Sequence, residues 1–462
     1  MRIPRWITAG VALLALAVVV LLGMQVVRPA RPLVEQAAFD QERITPNADG
    51  QDDATTFRYT LSRNATVSLT FTSADGQEYT FRAAEPRIAG DYRVLFSGVV
   101  HGYTLPGENV EGEVRARLLQ DGVYTWRLSA ADEQGETQTV SGALTIADAD
   151  PLLPDLSGFT ISPDVFSPNQ DGVADRVNIH VYVIKPARLT MYLEGEDGER
   201  FYIAERNEGR LPGEEGAHVF DYDGGIDAGM EPPPDGDYVL MLHAEDEEGQ
   251  RVTRTGSLTI RNSGLPLGEI YAQPTGTTVF YDTMPYDPAF YTSAEVVGER
   301  IPIPGGVESM ISAKTVLQGD MLVFRLTVNN YGTVGLRTTG PPPGTVYQQE
   351  QRASSLGWID ESGAWRVGLD CDTATSDYPW RWALGDLDVL EAVEEGGETY
   401  YYLPPGEQAV VWGAVRLTDV VERRNPQQCW AGLIHEDVEI PDRQGRVDAR
   451  WVEIVPRPEA AR

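Results

Sequence analysis

Asn47, Asp49 and Asp53 place side-chain oxygens two and four residues apart around Gly50, within TPNADGQDD at 45–53. Asn169, Asp171 and Asp175 repeat the arrangement around Gly172, within SPNQDGVAD at 167–175. Calcium takes roughly six to eight oxygens, so a structural Ca2+ locking a loop is one chemistry this spacing allows. The helix–loop–helix calcium template does not fit. With Gly50 at its glycine, its first and twelfth positions fall on Thr45 and Thr56, and in the second loop on Ser167 and Asn178. No glutamate closes either loop. The same residues also build a turn, in which Asn and Asp side chains bond their own backbone and proline sets the entry. Turn and cation are both open at this stage.

Tryptophan is the second lead. Trp358, Trp365, Trp380, Trp382, Trp412, Trp430 and Trp451 fall in the last third of a chain with nine tryptophans. In DYPWRWALG at 377–385, Trp380 and Trp382 share one strand face, and Tyr400 and Tyr402 follow soon after. Aromatic faces stack on sugars and on protein side chains. These four residues are therefore candidates for a binding platform, with core packing as the competing reading. Catalysis leaves no trace. The five histidines, His101, His180, His218, His243 and His435, are scattered, and no HExxH, GxSxG or glycine-rich phosphate loop is present. With 70 acidic residues, carboxylate pairs arise by chance and carry no information. The expectation is a non-enzyme.

The elements that carry these residues are duplicated. Pro46, Asn47, Asp49, Gly50 and Asp53 recur 122 positions later as Pro168, Asn169, Asp171, Gly172 and Asp175. Asp121-Gly122-x-Tyr124 recurs 114 positions later as Asp235-Gly236-x-Tyr238, as do Asp132, Gly135, Gly142 and Ile146 in Asp246, Gly249, Gly256 and Ile260. Copy two thus has a shorter middle loop, and the repeating unit is of domain size. Within each copy apolar residues alternate, as in TTFRYTL and ATVSLTF, with SADGQ and DEQG as hairpin turns. Period two with short turn-rich gaps predicts antiparallel sandwiches of about seven strands.

The net charge of −33 disfavours nucleic acid as a partner. Trp6 to Met24 carries no charge over nineteen residues. As a helix it is about 28 Å long, enough for a bilayer core, with a cleaved leader, whose apolar part is usually shorter, as the competing reading. Cys371 and Cys429 lack CxxC spacing and would close one bridge in an oxidising compartment.

The first two units resemble the Ig-like domain of the flagellar hook-capping protein and the Ig-like C-terminal modules of bacterial surface and gliding-motility proteins. The likeness lies in PNxDGxxD, the Asp-Gly hairpin, Gly-x-Tyr and the terminal Gly-x-x-x-Ile, across about 43–146 and 165–260. That family commonly has W-x-G before Gly-x-Tyr; here Phe96-Ser97-Gly98 and Tyr222-Asp223-Gly224 keep the turn without the Trp. More loosely, Gln318-Gly319-Asp320, Phe324 and Val328-Asn329-Asn330-Tyr331-Gly332-Thr333 resemble the start of bacterial Ig-like surface modules. The likeness implies fold more than function.

The expected architecture is all-β: tandem antiparallel Ig-like β-sandwiches behind one N-terminal transmembrane helix. The expected order is a cytoplasmic stub at 1–5, an anchor at 6–27, a stalk at 28–42 and sandwiches at 43–148 and 159–261. An extended connector at 262–306 and a Trp-rich sandwich at 307–456 follow. The expected protein sits in the cell membrane with its body outside, spacing a C-terminal domain that binds a surface protein or polysaccharide. A purely structural envelope protein, a glycan-binding module and an enzyme with a site in 307–456 are the alternatives.

Overall fold

The computed structural model describes residues 5–26, 31–206, 211–293, 296–306 and 313–458. Helix α1 runs Arg5–Val26, 22 residues. Its described side chains extend from residue 10 to residue 20, about 16 Å of helix. All are exposed, Leu13 and Leu14 by 68% and 71%. Among the described residues no helix is long and apolar enough to cross a membrane. The expected anchor at 6–27 and stub at 1–5 lie partly outside those residues.

Unit 1 begins earlier than the sequence suggests. The second half of the expected stalk is β1 (Val34–Phe39), followed by β2 (Arg43–Ile44), β3 (Thr55–Leu61), β4 (Ala65–Thr72), β5 (Glu78–Arg87) and β6 (Gly90–Phe96). A short hairpin, β7 (Val99–His101) and β8 (Glu113–Leu118), precedes β9 (Gly122–Ala131) and β10 (Thr137–Ile146). Two sheets, β1-β3-β6 and β2-β10-β9-β4-β5, face each other. The period-two residues Phe57, Tyr59, Leu61, Val67, Leu69 and Phe71 all point into the core. There Phe71 stacks on Phe96 at 4.6 Å, and Phe57 meets Trp126 edge-on at 5.2 Å.

Unit 2 repeats this with β11 (Leu156–Ser162), β12 (Val165–Phe166), β13 (Val177–Val183), β14 (Arg188–Glu194), β15 (Arg200–Ile203), β16 (Gly216–Tyr222), β17 (Gly236–Glu245) and β18 (Arg251–Ile260). The duplicated Gly-x-Tyr has one job in both copies. The Tyr124 hydroxyl donates to the Gln120 carbonyl at 2.9 Å, and Tyr238 to that of Pro234 at 2.7 Å. Each ties the start of a strand to the corner before it.

The longer middle loop of copy one turns out to be the hairpin β7–β8, which packs Val100 and Tyr103 against the unit 1 core but pairs with no strand of the unit 1 sheets. β8 pairs antiparallel with β18, so the larger sheet of unit 2 runs β15-β14-β17-β18-β8-β7. Gln250, fully buried, fastens the joint. Its Oε1 accepts from the Leu118 N–H at 3.3 Å, and its Nε2 donates to the carbonyls of Asp150 and Leu152. Lys185 Nζ sits nearby between Asp150, Asp246 and Glu248, all within 2.9 Å.

Unit 3 absorbs much of the expected connector: β19 (Gly268–Ile270) and β20 (Phe280–Met284) both pair with β22 (Met321–Asn330). The remaining strands are β21 (Lys314–Leu317), β23 (Leu336–Thr338), β24 (Val346–Gln348), β25 (Trp365–Cys371), β26 (Trp380–Ala383), β27 (Glu391–Glu395), β28 (Glu398–Leu403), β29 (Gln408–Arg416), β30 (Gln427–His435) and β31 (Val447–Val455). Sheets β19-β22-β29-β24 and β21-β31-β30-β25-β26 enclose the core, and β23-β28-β27 forms a third, outer layer. Cys371 and Cys429 are opposed on β25 and β30 and joined as a disulfide, as expected. Closing a separation of 58 residues restrains the unfolded chain. Cys371→Ala/Cys429→Ala is therefore expected to cost about 4 kcal/mol. An unchanged urea midpoint in the double variant would contradict this.

Candidate functional site

The two acidic loops fold alike and satisfy themselves. In the first, Asn47 Oδ1 accepts from the Asp49 N–H, Asp49 Oδ1 from Gln51, and the Asp53 carboxylate from Asn47 and Gly50. In the second, Asn169 Oδ1 accepts from Asp171, Asp171 Oδ1 from Val173, and the Asp175 carboxylate from Asp171 and Gly172. The oxygens are turned onto backbone donors, and among the described residues no group of three His, Cys, Asp or Glu side chains converges as a metal site. The geometry is that of the turn; these six residues do not fit a calcium cage. The Gly50 and Gly172 φ angles, +84° and +82°, are those an αL turn position requires.

The copies differ in surroundings. Asn47 and Asp49 are exposed, whereas Asn169 and Asp171 are each 4% exposed because unit 3 closes over them. Arg337 of β23 donates its Nε to the Asp171 carbonyl and its Nη2 to that of Ser362, at 2.6 Å for the latter. Tyr402 donates to Asp171 Oδ2 at 2.9 Å. His435 Nε2 lies 2.8 Å from the Gln170 carbonyl, with its ring stacked on Trp365 at 4.3 Å. Burial pushes the Asp175 carboxyl up to about 6, helped by the Asp171 charge, and lifts Asp171 as well.

Burial also lowers His435, to about 4, against a weaker upward pull from its hydrogen bond to Gln170. A depressed imidazole stabilises the fold above its unfolded pKa, near 6.5. That contribution is lost as pH falls toward 4, and amounts to about 3 kcal/mol at most. Asp175 moves the opposite way, its folded state gaining as pH falls from 6 toward 3.8. His435→Gln should therefore hold its stability better than the parent between pH 6.5 and 4, as read from urea midpoints. Parallel pH profiles would contradict this.

Trp380 and Trp382 do not form a platform. They are 4% and 0% exposed, inside the unit 3 core. Trp382 Nε1 donates to the Thr345 carbonyl at 3.0 Å, and its ring meets Phe324 and Tyr347 edge-on. Of the four expected contact residues, Tyr402 is spent on the unit 2–3 joint and Tyr400 lines an opening.

That opening is a cleft of about 630 Å³ on unit 3, between the outer β23-β28 layer and the segments around Trp358 and Leu387. Tyr400, Tyr401, Trp358, Leu387 and Leu390 give it aromatic and aliphatic walls, and Glu361 and Glu398 sit on its lining. Arg337 bonds Glu361 at 2.9 Å, and its guanidinium lies 5.6 Å from the Tyr400 ring centre. Buried Arg366 donates its Nε to the Thr339 carbonyl at 2.6 Å, which fixes the cleft floor. The lining holds no histidine, cysteine or lysine. Such walls stack and enclose a ligand. The sequence placed Trp358 among the clustered tryptophans but did not single out its neighbours Tyr401, Arg337 and Arg366. The one available signal was the TYYYL run beside a Gly-Gly turn; arginines in an acidic chain announce nothing.

No protein-family model matches the sequence, and no curated protein matches it. Solved structures with a detectable likeness include a tetra-tandem repeat in the extending region of a large adhesion protein. It is 12% identical with a TM-score of 0.17, covering 86% of this chain and 81% of that one. A Ca2+-stabilised adhesin with which an Antarctic bacterium binds ice is 12% identical at a TM-score of 0.16, covering 79% and 93%. A two-domain fibronectin type III segment of chicken tenascin is 11% identical at 0.15, covering 48% and 97%. TM-scores this low carry no argument about fold or function.

Proposed function

We propose that this chain is a membrane-anchored, non-catalytic bacterial surface protein. Its first two units act as a stiff spacer, and its third unit binds a protein or surface polymer in the Trp358–Tyr401 cleft. The observation that carries the reading is the fastening between units. Unit 1 lends β8 to the edge of β18, and unit 3 grips the 167–175 loop through Arg337, Tyr402 and His435. Domains that only need to be strung together have no use for such joints; a binding cleft held at a fixed place does. The anchor at 6–27 is supported by the uncharged run and by helix α1, whose described apolar side chains find no protein surface to cover them.

The test uses the full chain in detergent. Cell fractionation should place it in the membrane pellet, released by detergent and not by alkaline carbonate. The purified chain should be retained on either the protein or the polysaccharide fraction of the envelope, and Trp358→Ala/Tyr401→Ala should lose that retention. Retention that survives the double variant would remove the cleft from the proposal, and a freely soluble mature chain would remove the anchor.

A further inference from the structure

The joint between units 1 and 2 shows what the edge of such a sheet can accept. In β18 the outward positions Arg251 and Thr253 meet β8 of the preceding unit. The duplicated positions in β10 are Thr137 and Thr139, and nothing described pairs with them on that side. Sheet order places β10 between β9 and the two-residue β2, which pairs only with Thr145 and Ile146. Thr145 donates its N–H outward to the Glu42 carbonyl. Alternate residues along a strand turn the same way, so Thr137, Thr139, Ser141 and Ala143 direct their N–H and C=O groups to that open side.

An open edge invites pairing with another strand, and proteins blunt such edges with charge, proline or bulges. Other edges of this molecule are protected in that way. β5 carries Glu78, Glu85 and Pro86; β6 carries Asp91 and Arg93; β27 carries Glu391, Glu394 and Glu395. β11 is uncharged but bulged between Ser157 and Thr160. β10 has none of these devices. Residues 137–143 read TQTVSGA, seven uncharged residues with unbroken register to β9, in a chain of net charge −33. Gln138 folds inward, bonding the Val34 backbone through both ends of its amide, and among the described residues no other strand hydrogen-bonds to the outward side of 139–143.

We propose that the β10 edge pairs with the β10 edge of a second copy of this chain. Antiparallel pairing about Val140 sets Thr139 opposite Ser141 and Thr137 opposite Ala143, so every outward N–H and C=O from 137 to 143 finds a partner. No charge meets a like charge, which is the condition that a strongly acidic chain must meet to approach itself. Copy two supplies the precedent, because the same edge there is already covered by a strand. The two five-stranded sheets of unit 1 become one continuous sheet, and the proposal does not depend on the cleft.

The test is the polypeptide mass of the full chain in detergent micelles, measured by light scattering with the detergent contribution separated. The expected mass is twice 50.8 kDa. Ser141→Pro removes an outward N–H at an edge position where proline is tolerated, and Thr139→Lys adds a repelling charge. Both should halve the mass with the β-sheet circular dichroism unchanged. If the proline variant misfolds, the lysine variant decides. A parent that stays a single chain at every concentration overturns self-pairing. A doubled mass that persists in the lysine variant overturns it equally.

Discussion

Arg366→Met is expected to lower the stability of unit 3 by about 3 to 5 kcal/mol, the range for stripping one partner from a buried ion network. Arg366 is fully buried. Its guanidinium donates to the carbonyls of Thr339 and Ile359, to Asp360 at 2.8 Å and to Glu436 at 3.3 Å. Methionine fills similar volume but returns none of these bonds. Two carbonyls lose this donor, and Glu436, 4% exposed, keeps Arg381 as its one remaining cation. Adding Glu436→Gln should recover part of the loss, because the stranded charge is then removed. The measurement is the urea midpoint of the full chain followed by tryptophan fluorescence. A loss below about 1 kcal/mol in the single variant would show that the network contributes little.

Gly172→Ala is expected to separate unit 2 from unit 3, while Gly50→Ala, at the duplicated position, leaves the protein nearly unchanged. Both glycines have φ near +80°, so each alanine carries an αL strain of about 1 kcal/mol. The surroundings decide the rest. A Cβ on Gly50 meets nothing within 4 Å, whereas on Gly172 it would stand 2.0 Å from the Ser362 carbonyl oxygen. Backbone faces it from both sides of the joint, since a Cβ on Gly363 would stand 2.2 Å from the Asp171 carbonyl carbon. Nothing flexible can yield, so the loop must withdraw from Arg337, Tyr402 and His435 together. A total loss of about 4 kcal/mol or more at this joint follows. The variant should show two thermal transitions and new proteolytic cleavage between 261 and 267, where the parent and Gly50→Ala show neither. If both alanines behave alike, the joint is softer than its geometry.

The sandwiches were legible because their signal is local. Alternation in TTFRYTL or ATVSLTF is set by which side of one strand meets the core, and the duplication located both copies. The disulfide followed from compartment. The joints were not legible. Whether Glu113–Leu118 pairs within unit 1 or across to Arg251–Thr253 is decided by the edge that β18 leaves bare, and no local pattern records a neighbour's edge. The stalk and connector strands, β1, β19 and β20, escaped for the same reason. Turn and cation stayed open in the sequence through degeneracy: oxygens spaced to hold a cation are also spaced to hold backbone N–H groups, and in both loops they hold the backbone. The tryptophan platform failed because Trp380 and Trp382 do share a strand face, as expected, and that face points inward. The cleft that replaces it is assembled from Trp358, Leu387 and Tyr401, brought together only by the third sheet layer.

A loan of strand from one unit to the next makes the units unequal partners. Excising unit 1 would strip unit 2 of its outermost two strands, and transplanting unit 2 into another protein would export a raw border prone to clumping. The modules are therefore less like beads than like roof tiles, the second finished only by its predecessor, and any truncation series has to cut after the borrower and never between lender and borrower.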